Sequence, residues 1–321
     1  MISMILPKIF LGPMSRNVIK AVCSYLDIPL GFVASRRQID HCGGYVCGFD
    51  VRSFHDLIRQ LNHSVVLERD HGGPLQGVSD DDGYISLVGD VNYFDIIHLD
   101  VWKKFKDVDD AAYWTAEYLN FCEGMKGCYY EVGTEQDISP YSAEELDDFL
   151  GSLEDYLKER FSKILFAVIQ SGTSLKGSEN KGVFNEYRLE SMVKICKKHG
   201  LRSKEHNGDY LDSSLVKYKF QMGLDAINIA PELGRMETLE VLNILDESQK
   251  EKLFEICLAS DKWKKWVPGN FNPMENKQAL IEICGHYLFS SEEFKKLVSG
   301  MESEIAARTE QKVHEFIRKI A

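Results

Sequence analysis

An acid and an imidazole stand side by side at Asp70 and His71. They follow the apolar run Val65-Val66-Leu67 and precede Gly72-Gly73-Pro74, so the spacing predicts a strand that carries an acid–imidazole pair at its carboxyl end. Polar groups stand after a short apolar run again at His98 and Asp100, at Glu135, and at His206 with Asp209. Imidazole and carboxylate around one divalent ion suit zinc or manganese, with a position left open for a substrate oxygen. The same groups also serve as general acids and bases. Each residue taken singly has a plainer reading, a hydrogen-bonded structural histidine or a carboxylate that caps the next helix. It is their recurrence at successive strand ends that gives the pattern chemical meaning.

The elements that must position these residues alternate regularly. Strands are expected at Ile9 to Leu11, Leu30 to Ala34, Val65 onward, Asp95 to Asp100, Cys128 to Val132, Ile164 to Ile169, Leu201 to His206 and Ala226 to Ile229. Helical spacing fills the intervals at 17–26, 49–61, 109–123, 142–161, 187–199, 213–222 and 236–245, while Tyr84 to Asn92 reads as a connection. A Ser142-x-x-Glu145 capping box opens the fourth of these helices. Eight strand–helix units over residues 1–245 predict an α/β fold, a (β/α)8 TIM barrel, with a doubly wound sheet as the alternative. In a barrel every strand end opens onto one face, which brings His71, His98, Asp100, Glu135, His206 and Asp209 to a common rim. Beyond residue 245 only helices are expected, and 246–321 reads as a C-terminal helical region packed on the barrel, with Trp263 and Trp266 as packing anchors.

The 321 residues are long enough for a substantial core, and a net charge of -12 argues against a nucleic-acid partner. The eight cysteines are dispersed in apolar segments without a Cys-x-x-Cys pair, which fits reduced thiols in a cytoplasmic protein. Met1 to Leu11 reads as leading into the first strand, not as a signal peptide, and no run approaches the roughly 18 apolar residues of a membrane helix. Asp80-Asp81-Asp82-Gly83 reads as a solvated acidic turn, because the alternating oxygen ligands of a calcium loop are missing.

Six short motifs in order carry a resemblance: Gly43-Gly44-Tyr45, Asp70-His71-Gly72-Gly73-Pro74, Ile97-His98-Leu99-Asp100, Val132-Gly133-Thr134-Glu135, His206-Asn207-Gly208-Asp209-Tyr210 and Ala230-Pro231. With Lys262-Trp263-Lys264-Lys265-Trp266 and the terminal helices, the chain resembles over nearly its whole length the class II D-tagatose-bisphosphate aldolase non-catalytic (Z-type) subunits. That resemblance implies a barrel related to metal-dependent sugar aldolases and epimerases, with His71, Glu135 and His206 as metal-type residues, Asp100 or His98 nearby, and Asp70 as the base. The chain departs from the family pattern at Val33, where an acid is usual, at Lys204, where Glu is usual, and at Glu232, where a small residue would leave room for a phosphate.

The leading expectation is a divalent-metal-dependent sugar or sugar-phosphate aldolase or epimerase acting through an enediolate. Asp70, Glu135 and Asp100 are its candidate catalytic residues, and His71, Glu135, His206 and Asp100 its candidate metal ligands. Arg36, Arg37, Gln38, His98, Gln170, Lys204, Asp209 and Glu232 are candidates for contact with substrate, Arg235 adding a further cation. Zinc is the expected metal and manganese the alternative, with an aldolase partner subunit or a homo-oligomer as the expected assembly. The competing readings are an accessory, chaperone-like subunit that holds no metal and supports an aldolase, and a sugar-binding module without turnover.

Overall fold

The computed structural model describes residues 5–79 and 81–321, so expectations resting on Met1 to Met4 or on Asp80 lie outside the described residues. Eight short strands close on themselves: β1 (Ile9–Leu11), β2 (Leu30–Ser35), β3 (Val66–Gly72), β4 (Ile96–Leu99), β5 (Tyr129–Val132), β6 (Ile164–Ile169), β7 (Arg202–Glu205) and β8 (Ala226–Ile229). Every neighbouring pair is parallel, and Ile9 of β1 pairs with both Leu30 of β2 and Ile227 of β8. Strands such as Ile96–Leu99 and Ala226–Ile229 are buried along their whole length, as parallel strands covered on both faces must be. This is the (β/α)8 barrel that the alternation predicts.

Outward-facing Leu11, Phe32, Leu67, Ile97 and Ile227 join the helices in the main core, whereas Phe10, Val33, Val66, Ile96, Phe166 and Ala226 form a separate apolar plug. Against this plug, over its Phe10, the odd strands contribute Glu68, Glu131 and Lys204, the layering expected of a packed barrel. The Lys204 ammonium lies 3.7 Å from the Phe10 ring centroid, 2.5 Å from Glu68 and 2.9 Å from Glu131, with none of the three charged side chains exposed.

The helices between strands are α1 (Arg16–Ser24), α2 (Val51–Leu61), α3 (Tyr84–Tyr93), α4 (Val108–Glu123), α5 (Ala143–Leu157), α6 (Glu186–Lys198), α7 (Ser213–Gln221) and α8 (Pro231–Ile244). The Ser142–Glu145 capping box is present at α5. Three helices differ from expectation for physical reasons. α3 is hidden in the sequence because Ile85 and Val88 face solvent beside buried Leu87 and Val91, and its N-terminus follows a glycine without a side-chain cap. α5 stops at Leu157 because Lys158 takes a positive φ of 52° and the chain tightens into a 3-10 turn. α8 begins at Pro231, not Met236: proline suits the first helical position, and the missing cap comes from Asp209, whose Oδ1 accepts the Ala230 and Glu232 N–H groups at 2.9 and 2.8 Å. The Gly-containing segment after β6 forms a small hairpin of Leu175–Lys176 with Glu179–Asn180.

After α8 the chain continues through α9 (Glu247–Ala259), α10 (Lys277–Cys284), α11 (Glu292–Leu297) and α12 (Glu302–Ile320). Val241, Leu253, Phe254, Leu280, Ile281 and Phe294 build a second apolar cluster, which also holds Trp263. α12 then returns along α1 and α8, and its Val313, Ile317 and Ile320 enter the main core. All eight cysteines are free, and among the described residues no helix is long and apolar enough to cross a membrane.

Candidate metal centre

In a regular strand successive side chains point to opposite faces, so Asp70 and His71 should diverge. They do not, because the β3–β4 register shifts between Arg69 and Gly72 and His71 adopts a φ of 48°. The bulge re-aims His71 so that both side chains reach the barrel mouth. There, donor atoms of Asp70, His71, His98 and His206 all lie within 4.8 Å of one another. Asp70 Oδ1 is 3.4 Å from His71 Nε2 and 3.8 Å from the Nδ1 atoms of both His98 and His206. Donors held about 2.1 Å from a tetrahedral ion stand about 3.4 Å apart, so the Asp70–His71 pair has that spacing and the other donors stand somewhat wider.

The other nitrogen of each imidazole has an acceptor outside the cluster. His71 Nδ1 lies 2.7 Å from Asp100 Oδ2, His98 Nε2 lies 3.0 Å from the Gly133 carbonyl, and His206 Nε2 lies 2.9 Å from Glu131 Oε1. Carbonyl and carboxylate oxygens only accept, so each outer nitrogen carries a proton and the inner nitrogens face one another across the site. Such outer partners fix tautomer and ring orientation in metal centres. The His71 N–H competes weakly for His98 Nδ1 at 3.3 Å. Asp70 Oδ1, by contrast, is buried with no hydrogen-bond partner among the described residues. Gly133 is required where it stands: at a φ of 111°, an added Cβ would lie 3.2 Å from Val168 Cβ. This donor set fits a divalent cation on its own chemistry.

The carboxylates and imidazoles of the cluster shift one another's charge. Burial opposes charge on His71, but the carboxylates of Asp70, Asp100 and Glu135 outweigh it and lift the imidazole to about 10. Burial likewise works against an ionised Asp70, yet His71 and the imidazoles of His206 and His98 hold its carboxyl well below the usual range. An entering cation must displace the His71 proton. Asp100 is held low by its bond to His71 despite burial, whereas burial raises Glu135. Beneath the cluster, burial and repulsion from Glu131 push Glu68 upward, while Lys204 overcomes burial to keep Glu131 low.

The remaining predicted residues separate by position. Glu135 lines the same cavity but is outside the four-donor group, and Asp100 orients His71 from behind. His98, read as a substrate contact, belongs to the donor group. Arg36 is buried on Asp40 and Asp81, Lys204 on Glu68 and Glu131, and Arg235 binds Glu282. Gln170 spans from the Thr134 and Ser139 carbonyls to the Tyr141 N–H and Arg188, and Glu232 accepts the Tyr210 N–H at 2.6 Å. Asp209 lines the cavity while capping α8, and Gln38 lines it while accepting the Ser35 N–H. Arg37 is exposed at the rim. Sequence reasoning overlooked Glu131 and Glu68, although charged residues inside otherwise apolar strands were a readable signal. It also passed over Asn228, Lys265, His286 and Tyr287, which line the cavity of about 810 Å³ above the cluster, and took Trp266, another lining residue, for a packing anchor.

No family model matches the chain, and no curated protein matches it. Solved structures do. A probable tagatose 6 phosphate kinase from Sinorhizobium meliloti 1021 superposes with a TM-score of 0.75 at 15% identity, covering 98% of this chain and 99% of that one. The YdjI aldolase from Escherichia coli K12 gives 0.58 at 9% identity, over 98% and 91%. The fructuronate-tagaturonate epimerase UxaE from Cohnella laeviribosi, complexed with one glycerol, gives 0.62 at 10% identity, over 98% and 82%. At these identities the likeness is one of fold, a barrel of the kind found in sugar aldolases and epimerases.

Proposed function

We propose that the protein is a divalent-metal-dependent enzyme that cleaves or epimerises a ketose sugar bearing an acidic or phosphate group. The observation that carries this reading is the set of three imidazoles, each tied outward and open inward, around the unpartnered Asp70 oxygen at the carboxyl ends of barrel strands. His71, His98 and His206 are the proposed ligands. A bound cation would supply Lewis-acid polarisation of a ketose carbonyl and of the charge that develops beside it. Asp70, ionised at neutral pH, takes the proton from the hydroxyl or carbon next to the reacting bond, and Glu135, raised by burial, returns one. Asp100 and Glu131 orient imidazoles and do not touch substrate. The aldolase and epimerase named among the similar structures support the same class of chemistry.

The test is elemental analysis of the purified protein, before and after reconstitution with zinc or manganese, beside His71→Ala, His98→Ala and His206→Ala. Near-stoichiometric metal, lost in all three variants, is expected. Failure to take up either metal after reconstitution overturns the reading and favours an accessory subunit. Asp70→Asn separates two roles for that carboxylate: as the base, it leaves metal content intact while turnover on phosphorylated and acidic ketoses falls by about 10²–10⁴-fold. Loss of metal in Asp70→Asn would make Asp70 a ligand and transfer the base role to Glu135.

A further inference from the structure

In a chain with a net charge of -12, the cavity above the imidazole cluster is lined by four basic side chains, Arg37, Lys262, Lys264 and Lys265, beside four carboxylates. Arg37 follows β2, while Lys262 and Lys265 come from the segment between α9 and α10, more than 200 residues later in the chain. Among the described residues no carboxylate lies within 4.0 Å of any of the three, whereas their neighbour Lys264 is paired with Asp261 at 2.8 Å. Lys265 is positioned by aromatic faces and not by an acid: its ammonium is 4.6 Å from the Trp266 ring centroid and 5.0 Å from that of Tyr287. Trp266 in turn donates its indole N–H to Tyr287 Oη at 3.2 Å. Desolvation against these rings, with Arg37 and Lys262 nearby, pushes Lys265 down to about 8 although the residue keeps an exposed side.

His286 supplies an independent observation. It is 4% exposed, lines the same cavity, and has no hydrogen-bond partner on either ring nitrogen among the described residues. Buried polar groups without partners are rare, and one lining a cavity marks a place where a ligand completes the bonding. Burial and the nearby Lys265 hold this imidazole neutral, down to about 3, so it offers one donor and one acceptor. The other cations that the sequence offered near the mouth, Arg36, Lys204 and Arg235, are engaged by internal carboxylates.

We propose that Arg37, Lys262 and Lys265, together with His286, bind the anionic terminus of the substrate, a phosphate or carboxylate carried at the end remote from its reacting carbonyl. This rests on the reading of the imidazole cluster as the reacting end. It makes the segment between α9 and α10 part of the substrate site. The cavity lies within the size range of small-molecule sites, about 300–1,000 Å³.

Calorimetric titration of glycerol 3-phosphate and of glycerate tests the assignment, on protein stripped of divalent ions and on protein reconstituted with zinc. The variants are Arg37→Ala/Lys265→Ala, Lys262→Ala, His286→Ala and the paired control Lys264→Ala, with metal content and thermal melts recorded for each. The expected result is anion binding to the stripped protein that weakens at least tenfold in the double variant and measurably in Lys262→Ala and His286→Ala. Lys264→Ala should bind as the parent does, and metal content should be unchanged throughout. Tighter binding of glycerol 3-phosphate identifies a phosphate site, and tighter binding of glycerate a carboxylate site. Anion binding that disappears on stripping, or that survives the double variant unaltered, overturns the proposal. Anion binding that obeys it in a protein unable to take up metal would preserve the anion site and sink the metal reading alone.

Discussion

His71 is held from two directions, by the left-handed backbone at the β3 bulge and by the Asp100 carboxylate at its Nδ1. Asp100→Asn keeps the shape but can present an amide N–H where His71 requires an acceptor, which frees the ring to choose the wrong tautomer. A 10–100-fold loss of metal affinity is expected, measured by competition with a chromophoric chelator. Unaltered affinity would show that the bulge alone orients the ring. At this scale the Asp70–His71 pair was legible in the sequence because a polar pair ended an apolar run. The bulge that unites the two was not, since nothing in Arg69-Asp70-His71-Gly72 announces a register shift made by pairing with β4. His98 was visible as a strand-end residue, but its role depends on which nitrogen faces inward, a property of Gly133 and the fold.

Helix contacts carry a second titrating group away from the mouth. Glu237 of α8 accepts from Ser15, the N-cap of α1, and from Asn17 at 2.7 Å, and burial raises its carboxyl to about 7 from an ordinary 4.5. A carboxyl raised by folding binds its proton more tightly in the folded state. Its contribution is therefore fully present below pH 4.5 and is lost as the pH rises through 7, a change of about 3 kcal/mol. Urea denaturation of Glu237→Gln across pH 4–8 should lack this part of the parent's decline, with the variant gaining relative stability towards pH 8. Parallel curves for the two proteins would exclude the linkage. Helix existence was legible wherever apolar spacing gave one buried face, as in α2 with Phe54 and Ile58. It failed for α3, which leaves apolar side chains on its outer face, and at the start of α8, whose cap comes from Asp209 about 20 residues upstream.

The whole molecule is a barrel whose far carboxyl end turns back to its beginning. α12 lies along α1 and α8 and inserts Val313, Ile317 and Ile320 into the main core, which also holds Val18 and Val22 of α1. Burying each such aliphatic side chain contributes about 1.5–3 kcal/mol, so a chain ended at Met301 loses an amount comparable to the total stability of a domain. Truncation at Met301 is expected to abolish the cooperative thermal transition and to produce aggregates detectable by light scattering. A truncated protein that melts cooperatively near the parent temperature would show that α12 is dispensable. The barrel itself was readable from strand–helix alternation alone, because each parallel strand needs a crossover before the next. The return of α12 was not, since an amphipathic helix states that it has a buried face without naming the partner.

The ion group inside the barrel constrains how sequences of this kind can change. Lys204 is the shared counter-charge of Glu68 and Glu131, and Glu131 in turn orients His206. Replacing Lys204 alone, as in Lys204→Met, leaves the Glu131 carboxylate buried beside Glu68 with no counter-charge and should cost about 3–5 kcal/mol in chemical denaturation. A lineage can therefore cross to a different residue at this position only by altering its partners in concert. Homologous chains with an acid in place of Lys204 should carry a neutral or basic residue in place of Glu68 or Glu131, so that positions 68, 131 and 204 drift as one inherited unit while the surface around them diverges freely.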